Sequence, residues 1–120
     1  MNAQTETWNG SSWTEVNDLN QARYDLGGVG IVTAALAFGG INIPIGSPYR
    51  TANTELWNGT NWTEVNNLNT GRGSMSSIGI STSALAAAGS PSPSTSALAI
   101  TEEWNGVSWV EVADLSSARN

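Results

Sequence analysis

One phrase occurs three times in this chain of 120 residues. Thr5-Glu6-Thr7-Trp8-Asn9-Gly10-Ser11-Ser12-Trp13-Thr14-Glu15-Val16 returns as Thr54-Glu55-Leu56-Trp57-Asn58-Gly59-Thr60-Asn61-Trp62-Thr63-Glu64-Val65. The third copy is Thr101-Glu102-Glu103-Trp104-Asn105-Gly106-Val107-Ser108-Trp109-Val110-Glu111-Val112. All six tryptophans fall inside these phrases, as three pairs, and equivalent members lie 49 and 47 residues apart. Leu19, Leu68 and Leu115 follow in register, then Arg23, Arg72 and Arg119. A period of this length marks a repeat architecture, in which each unit buries its apolar face only against a neighbour.

A second segment occurs twice. Gly30-Ile31-Val32-Thr33-Ala34-Ala35-Leu36-Ala37-Phe38-Gly39-Gly40 aligns with Gly79-Ile80-Ser81-Thr82-Ser83-Ala84-Leu85-Ala86-Ala87-Ala88-Gly89. The stretches that follow, 41–53 and 90–100, diverge and differ in length, as surface loops do.

The Trp-Asn-Gly phrase reads as a β-hairpin, since Asn-Gly tolerates positive φ and Thr, Trp and Val flank it. A loop of either two or four residues puts both tryptophans of a pair on one face. Four would set Glu6 directly opposite Glu15, which like-charge repulsion disfavours. The expected turn is therefore the two-residue one, with the tryptophans as diagonal neighbours; a three-residue bulged turn, which would separate them, is the alternative. Residues 24–40 read as a second hairpin, with strands near 26–32 and 34–39. Its second copy falls near 75–81 and 84–88. The alanine run there has helical propensity, but the repeat register and the flanking Gly, Ser and Pro favour strand. One unit is thus four short strands. The expected class is all-β: four-stranded propeller-type blades, about two and a half per chain.

Composition excludes several chemistries. The chain contains no Cys, His or Lys, and carries ten acids against four arginines for a formal charge of −6. Disulfides, a cysteine nucleophile, a Cys/His metal site, a histidine base and a lysine Schiff base are therefore absent. The acidic balance argues against nucleic acid as a partner. No apolar run reaches membrane-spanning length, so membrane insertion is not expected, and residues 1–6 lack the pattern of a signal peptide. The repeated glutamates sit in the Trp-Asn-Gly hairpins, and the acids make no convincing pair of catalytic carboxylates as in a glycosidase. No enzyme, cofactor or metal is expected.

These residues resemble the kelch repeat. The resemblance rests on the apolar run ending in Gly39-Gly40, the aromatic Trp57, Trp62 at the start of an outer strand, and the small linker Asn69-Thr70-Gly71-Arg72. It spans nearly the whole chain. Two features depart from it: the aromatic spacing is short, and Ala88 replaces Gly39 in the second copy. Among kelch-like proteins the phrases are most similar to repeat proteins of bacteriophages. That similarity implies a virion-surface or extracellular setting. In kelch blades the first hairpin is inner and the second outer. The chain then divides into an orphan outer hairpin at 5–16 and blades at 24–65 and 73–112. Propellers close with about four to eight blades. The expectation is a ring of several identical chains held by blade-edge and blade-face contacts, or a piece of a longer propeller.

In such a meander the Trp-Asn-Gly turns and the turn near 33 share one end. The divergent loops share the other end with the arginine linkers. That variable end is the expected binding face, with Arg23, Asn42, Tyr49, Arg50 and Arg72 as candidates for recognising carboxylates, phosphates or sugar hydroxyls. Repetition of Arg23 and Arg72 also suits a scaffold role, with the guanidinium bonding linker carbonyls or a neighbouring acid. Trp8, Trp13, Trp57, Trp62, Trp104 and Trp109 are expected to pack the blades and, where exposed, could stack on sugar rings. The expected function is a non-enzymatic recognition module for a glycan or surface protein. The alternative is a purely structural element.

Overall fold

In the computed structural model, which describes residues 2–43, 50–92 and 96–119, ten short strands account for the repeats. They are β1 (Thr5–Trp8), β2 (Trp13–Val16), β3 (Gly27–Ile31), β4 (Ala34–Phe38), β5 (Thr54–Trp57), β6 (Trp62–Val65), β7 (Ser76–Ile80), β8 (Ser83–Ala87), β9 (Thr101–Trp104) and β10 (Trp109–Val112). All pairings are antiparallel. β1 and β2 form a two-stranded hairpin, while β3-β4-β5-β6 and β7-β8-β9-β10 are four-stranded meanders. The alanine run is strand β8, where Ala84 and Ala86 pair with Trp104 and Glu102. Both alanines are buried, so small side chains leave room for the next layer. The three sheets lie in sequence as an open stack, and the described residues form no closed ring.

The turn expectation is overturned. Trp8 stands directly opposite Trp13, Trp57 opposite Trp62 and Trp104 opposite Trp109, so every loop has four residues. Glu6 faces Glu15, Glu55 faces Glu64 and Glu102 faces Glu111. Two forces outweigh the repulsion. The asparagine side chain builds the loop: Asn9 Oδ1 accepts the amides of Ser11 and Ser12 at 2.8 and 2.9 Å, and Asn58 and Asn105 do the same. Glu55 and Glu102 are also neutralised by arginines, while Glu64 and Glu111 stay in solvent. Each tryptophan pair then packs with ring centroids 5.3–5.4 Å apart.

The core lies between the two four-stranded sheets. Leu36 and Phe38 of the first meet Ala84, Ala86, Trp104 and Trp109 of the second, with Leu68 of the connecting linker closing one side. Phe38 and Trp109 meet edge-on at 4.8 Å. Side-chain alternation sets the two faces of each sheet. Trp57 and Glu55 project toward the preceding sheet, whereas Thr54 and Leu56 project toward the following one. The linkers lie in the interfaces: Leu68 N–H donates to Ala52 O and Gly40 N–H to Arg72 O. Single bridges from Tyr24 to Ile41 and from Gly73 to Ser90 extend each sheet at the linker end.

Candidate functional site

The arginines at the repeated position point inward. Arg23 is buried against Glu55, with an Nη2–Oε2 distance of 2.8 Å, and also donates to Asn53 O at 2.8 Å. Arg72 is fully buried, 2.5 Å from Glu102, and donates to Ala88 O, Ala86 O and Thr70 O. Each guanidinium ties a linker to the second and third strands of the following sheet. Burial lowers the Arg23 pKa from its ordinary value, while Glu55 and then Glu64 raise it back toward that value. Both arginines direct their donors to main-chain carbonyls and a carboxylate, a scaffold placement that presents no guanidinium face to a ligand. Their partners Glu55 and Glu102 were not singled out from sequence. The available signal was a glutamate two residues before the first tryptophan in all three copies.

At the variable end, Ile41 bridges both Tyr24 and Arg50, which brings Asn42 and Arg50 close in the fold. Asn42 is buried and donates to Ala22 O at 2.9 Å. Its Oδ1, like the half-buried Arg50 Nε, has no hydrogen-bond partner among the described residues. Tyr49 lies outside the described residues. Of the five candidates, Arg23 and Arg72 are thus drawn into the interfaces between sheets, and Asn42 and Arg50 share the loop end.

The opposite end holds a concavity. The Trp-Asn-Gly turns and the β3–β4 turn share that end, where Trp57 Nε1 donates to Val32 O at 2.9 Å. A cleft of about 280 Å³ opens between the N-terminal hairpin and the first sheet. Trp8, Trp57, Trp62, Ile31 and Val32 form its apolar walls, and Thr5, Glu6 and Thr7 of β1 border it. It exists because β1 pairs only with β2, whereas the equivalent β5 and β9 are flanked on both sides. The tryptophans differ in exposure: Trp57, Trp104 and Trp109 are buried and Trp62 is half-buried, but Trp8 is 48% exposed and Trp13 63%. Trp8 and Glu6 alternate along β1 and share its exposed face, so an indole stands beside a hydrogen-bond acceptor at the rim of the cleft, on the side of the hairpin away from the first sheet. Compared with known proteins, the chain matches no protein-family model and no curated protein.

Proposed function

We propose that this chain is a non-enzymatic recognition module built from kelch-like propeller blades, and that it binds a saccharide in the tryptophan cleft. The observation that carries this reading is the cleft itself, with Trp57 and Trp62 lining about 280 Å³ and the exposed Trp8 beside Glu6 at its rim. Sugar rings offer apolar C–H faces that stack on indole and hydroxyls that donate to a carboxylate. Ligand sites of this kind combine mostly apolar walls with a few polar groups that fix orientation. This reading puts the site at the turn end, whereas the sequence expectation puts it among the loops at the arginine end.

The test is a glycan array followed by intrinsic-fluorescence titration of any saccharide retained. Binding should perturb the tryptophan emission, and Trp8→Ala should weaken affinity at least about tenfold, equivalent to about 1.4 kcal/mol. Trp8 is exposed, so that change leaves the core between the sheets in place. If no glycan is retained, or if Trp8→Ala binds as the parent does, the saccharide reading fails and a purely structural role takes its place.

A further inference from the structure

The same set of contacts joins the N-terminal hairpin to the first sheet and the first sheet to the second. Trp62 Nε1 donates to Thr5 Oγ1 at 3.0 Å, and Trp109 Nε1 to Thr54 Oγ1 at 3.0 Å. The Asn20 amide meets Glu55 Oε1 at 2.7 Å, and the Asn69 amide meets Glu102 Oε1 at 2.6 Å. Arg23 pairs with Glu55 and Arg72 with Glu102. The Asn17 and Asn66 side chains donate to Thr60 O and Val107 O, each at 2.8 Å. Each junction therefore uses a threonine acceptor and an arginine from the preceding unit, and a tryptophan donor and a glutamate from the following one.

The two outer faces of the stack carry the unused halves of this code. On the N-terminal face, the Trp13 indole N–H and the Glu6 carboxylate have no partner among the described residues. On the C-terminal face, Thr101 Oγ1 is buried without a hydrogen bond and Arg119 is exposed without an ion pair among the described residues. Thr101 occupies the position of Thr5 and Thr54, and Arg119 that of Arg23 and Arg72. The apolar surface divides in the same way. Leu36 is 1% exposed in the buried interface, but its equivalent Leu85 is 37% exposed on the far face, beside Ile78, Val110 and Val112. Trp109 is 5% exposed, but its equivalent Trp13 is 63% exposed. The face that lacks an indole donor and a carboxylate is therefore complementary to the face that carries them.

We propose that a second copy of this chain docks its N-terminal hairpin onto the C-terminal face of the second sheet, head to tail. Trp13 Nε1 of one copy donates to Thr101 Oγ1 of the other, and Glu6 pairs with Arg119. The Ser116 amide, at the position of Asn20 and Asn69, donates to the same Glu6. The contact is heterologous, so it propagates as a ring or a filament and does not stop at a two-fold dimer. It goes beyond saccharide binding and does not depend on it, although both use Glu6 and the face that carries Trp8, so a bound saccharide and a second copy would compete. Three differences weaken this junction relative to the internal ones. Ala113 replaces the asparagine donor of Asn17 and Asn66, Ser116 lacks the side-chain amide with which Asn20 and Asn69 bond the glutamate and a tryptophan carbonyl, and Glu103 stands where the first sheet has Leu56. The hairpin covers the outer half of the face, over β9 and β10, and leaves Ile78 and Leu85 beside it.

Sedimentation velocity across a wide concentration range tests the proposal. The weight-average mass should rise above the 12.5 kDa of one chain as concentration increases. Arg119→Glu and Glu6→Arg should each abolish the rise, by placing like charges together. The double variant, which restores opposite charges with their polarity reversed, should recover it. Trp13→Phe should weaken association about fivefold or more by removing the N–H donor together with part of the ring surface, and Glu103→Leu should strengthen it. A chain that stays at 12.5 kDa at millimolar concentration overturns the proposal, as does a double variant no better than either single one.

Discussion

Arg72 and Glu102 are two full charges removed from water, and their geometry decides whether that is tolerable. Desolvating an ion costs several kcal/mol, which attraction repays only when the remaining donors and acceptors are also satisfied. Here they are satisfied: Arg72 reaches three carbonyls besides Glu102, and Glu102 also accepts the Asn69 amide and side chain. Removing one partner strands the other. Arg72→Ala should therefore destabilise the fold by about 3–5 kcal/mol in urea unfolding, a large share of the stability of a small domain. Arg119→Ala, at the same repeat position but exposed, should change it by no more than about 0.5 kcal/mol. Sequence alone carried the repeated arginine and the choice between a carbonyl partner and an acid. Both occur. It did not reveal which glutamate answers, because the answering strand lies about 30 residues downstream in another sheet. Nor did it reveal the cleft, whose exposed Trp8 depends on β1 having no partner on one side.

Among the elements, the strand after the first inner turn was the most legible, because alternation marks it and the Gly39-Gly40 pair ends it. The expected strands near 26–32 and 34–39 are found at 27–31 and 34–38. The four-residue hairpin turn was not legible, since charge opposition across the strands is a local rule and its relief is tertiary. The end of the inner hairpin shows the same dependence on neighbours. Gly39 has φ +65, and a Cβ there would run into the Arg72 carbonyl and Met75 of the following unit. Ala88 occupies the same place at φ 64, in the left-handed region that costs an alanine about 1 kcal/mol. No equivalent of Met75 packs over Ala88 within the described residues, so only the backbone strain remains. Ala88→Gly should then stabilise the chain by up to about 1 kcal/mol, less the added entropy of a glycine in the unfolded state. Gly39→Ala should cost more than that gain, because it adds a steric clash to the strain. Thermal unfolding of the two variants reads both signs.

Across the whole molecule, stability is concentrated in the layer between the two four-stranded sheets. Leu36, Phe38, Leu68, Ala84, Ala86, Trp104 and Trp109 are all buried there. The N-terminal hairpin contributes to no part of that cluster. It is held to the first sheet by Thr5, Asn17, Asn20 and Arg23, largely polar contacts on one side. In a stack where each unit touches only its neighbours, stability is roughly the sum of units and interfaces. The interface with the least buried apolar surface should therefore open first. Native-state hydrogen exchange should show the greatest protection in β4, β5, β8 and β9 and the least in β1 and β2. Trp109→Ala removes the Phe38 edge contact and the Thr54 hydrogen bond from the central layer. That change should lower stability by about 3–5 kcal/mol and collapse protection in both large sheets together. Trp62→Ala acts on the outer layer and should release β1 and β2 while leaving β8 and β9 protected. Equal loss of protection in all three sheets for Trp62→Ala would mean that the stack unfolds as one cooperative unit. In that case the hairpin would be bound to the core far more tightly than its polar contacts account for.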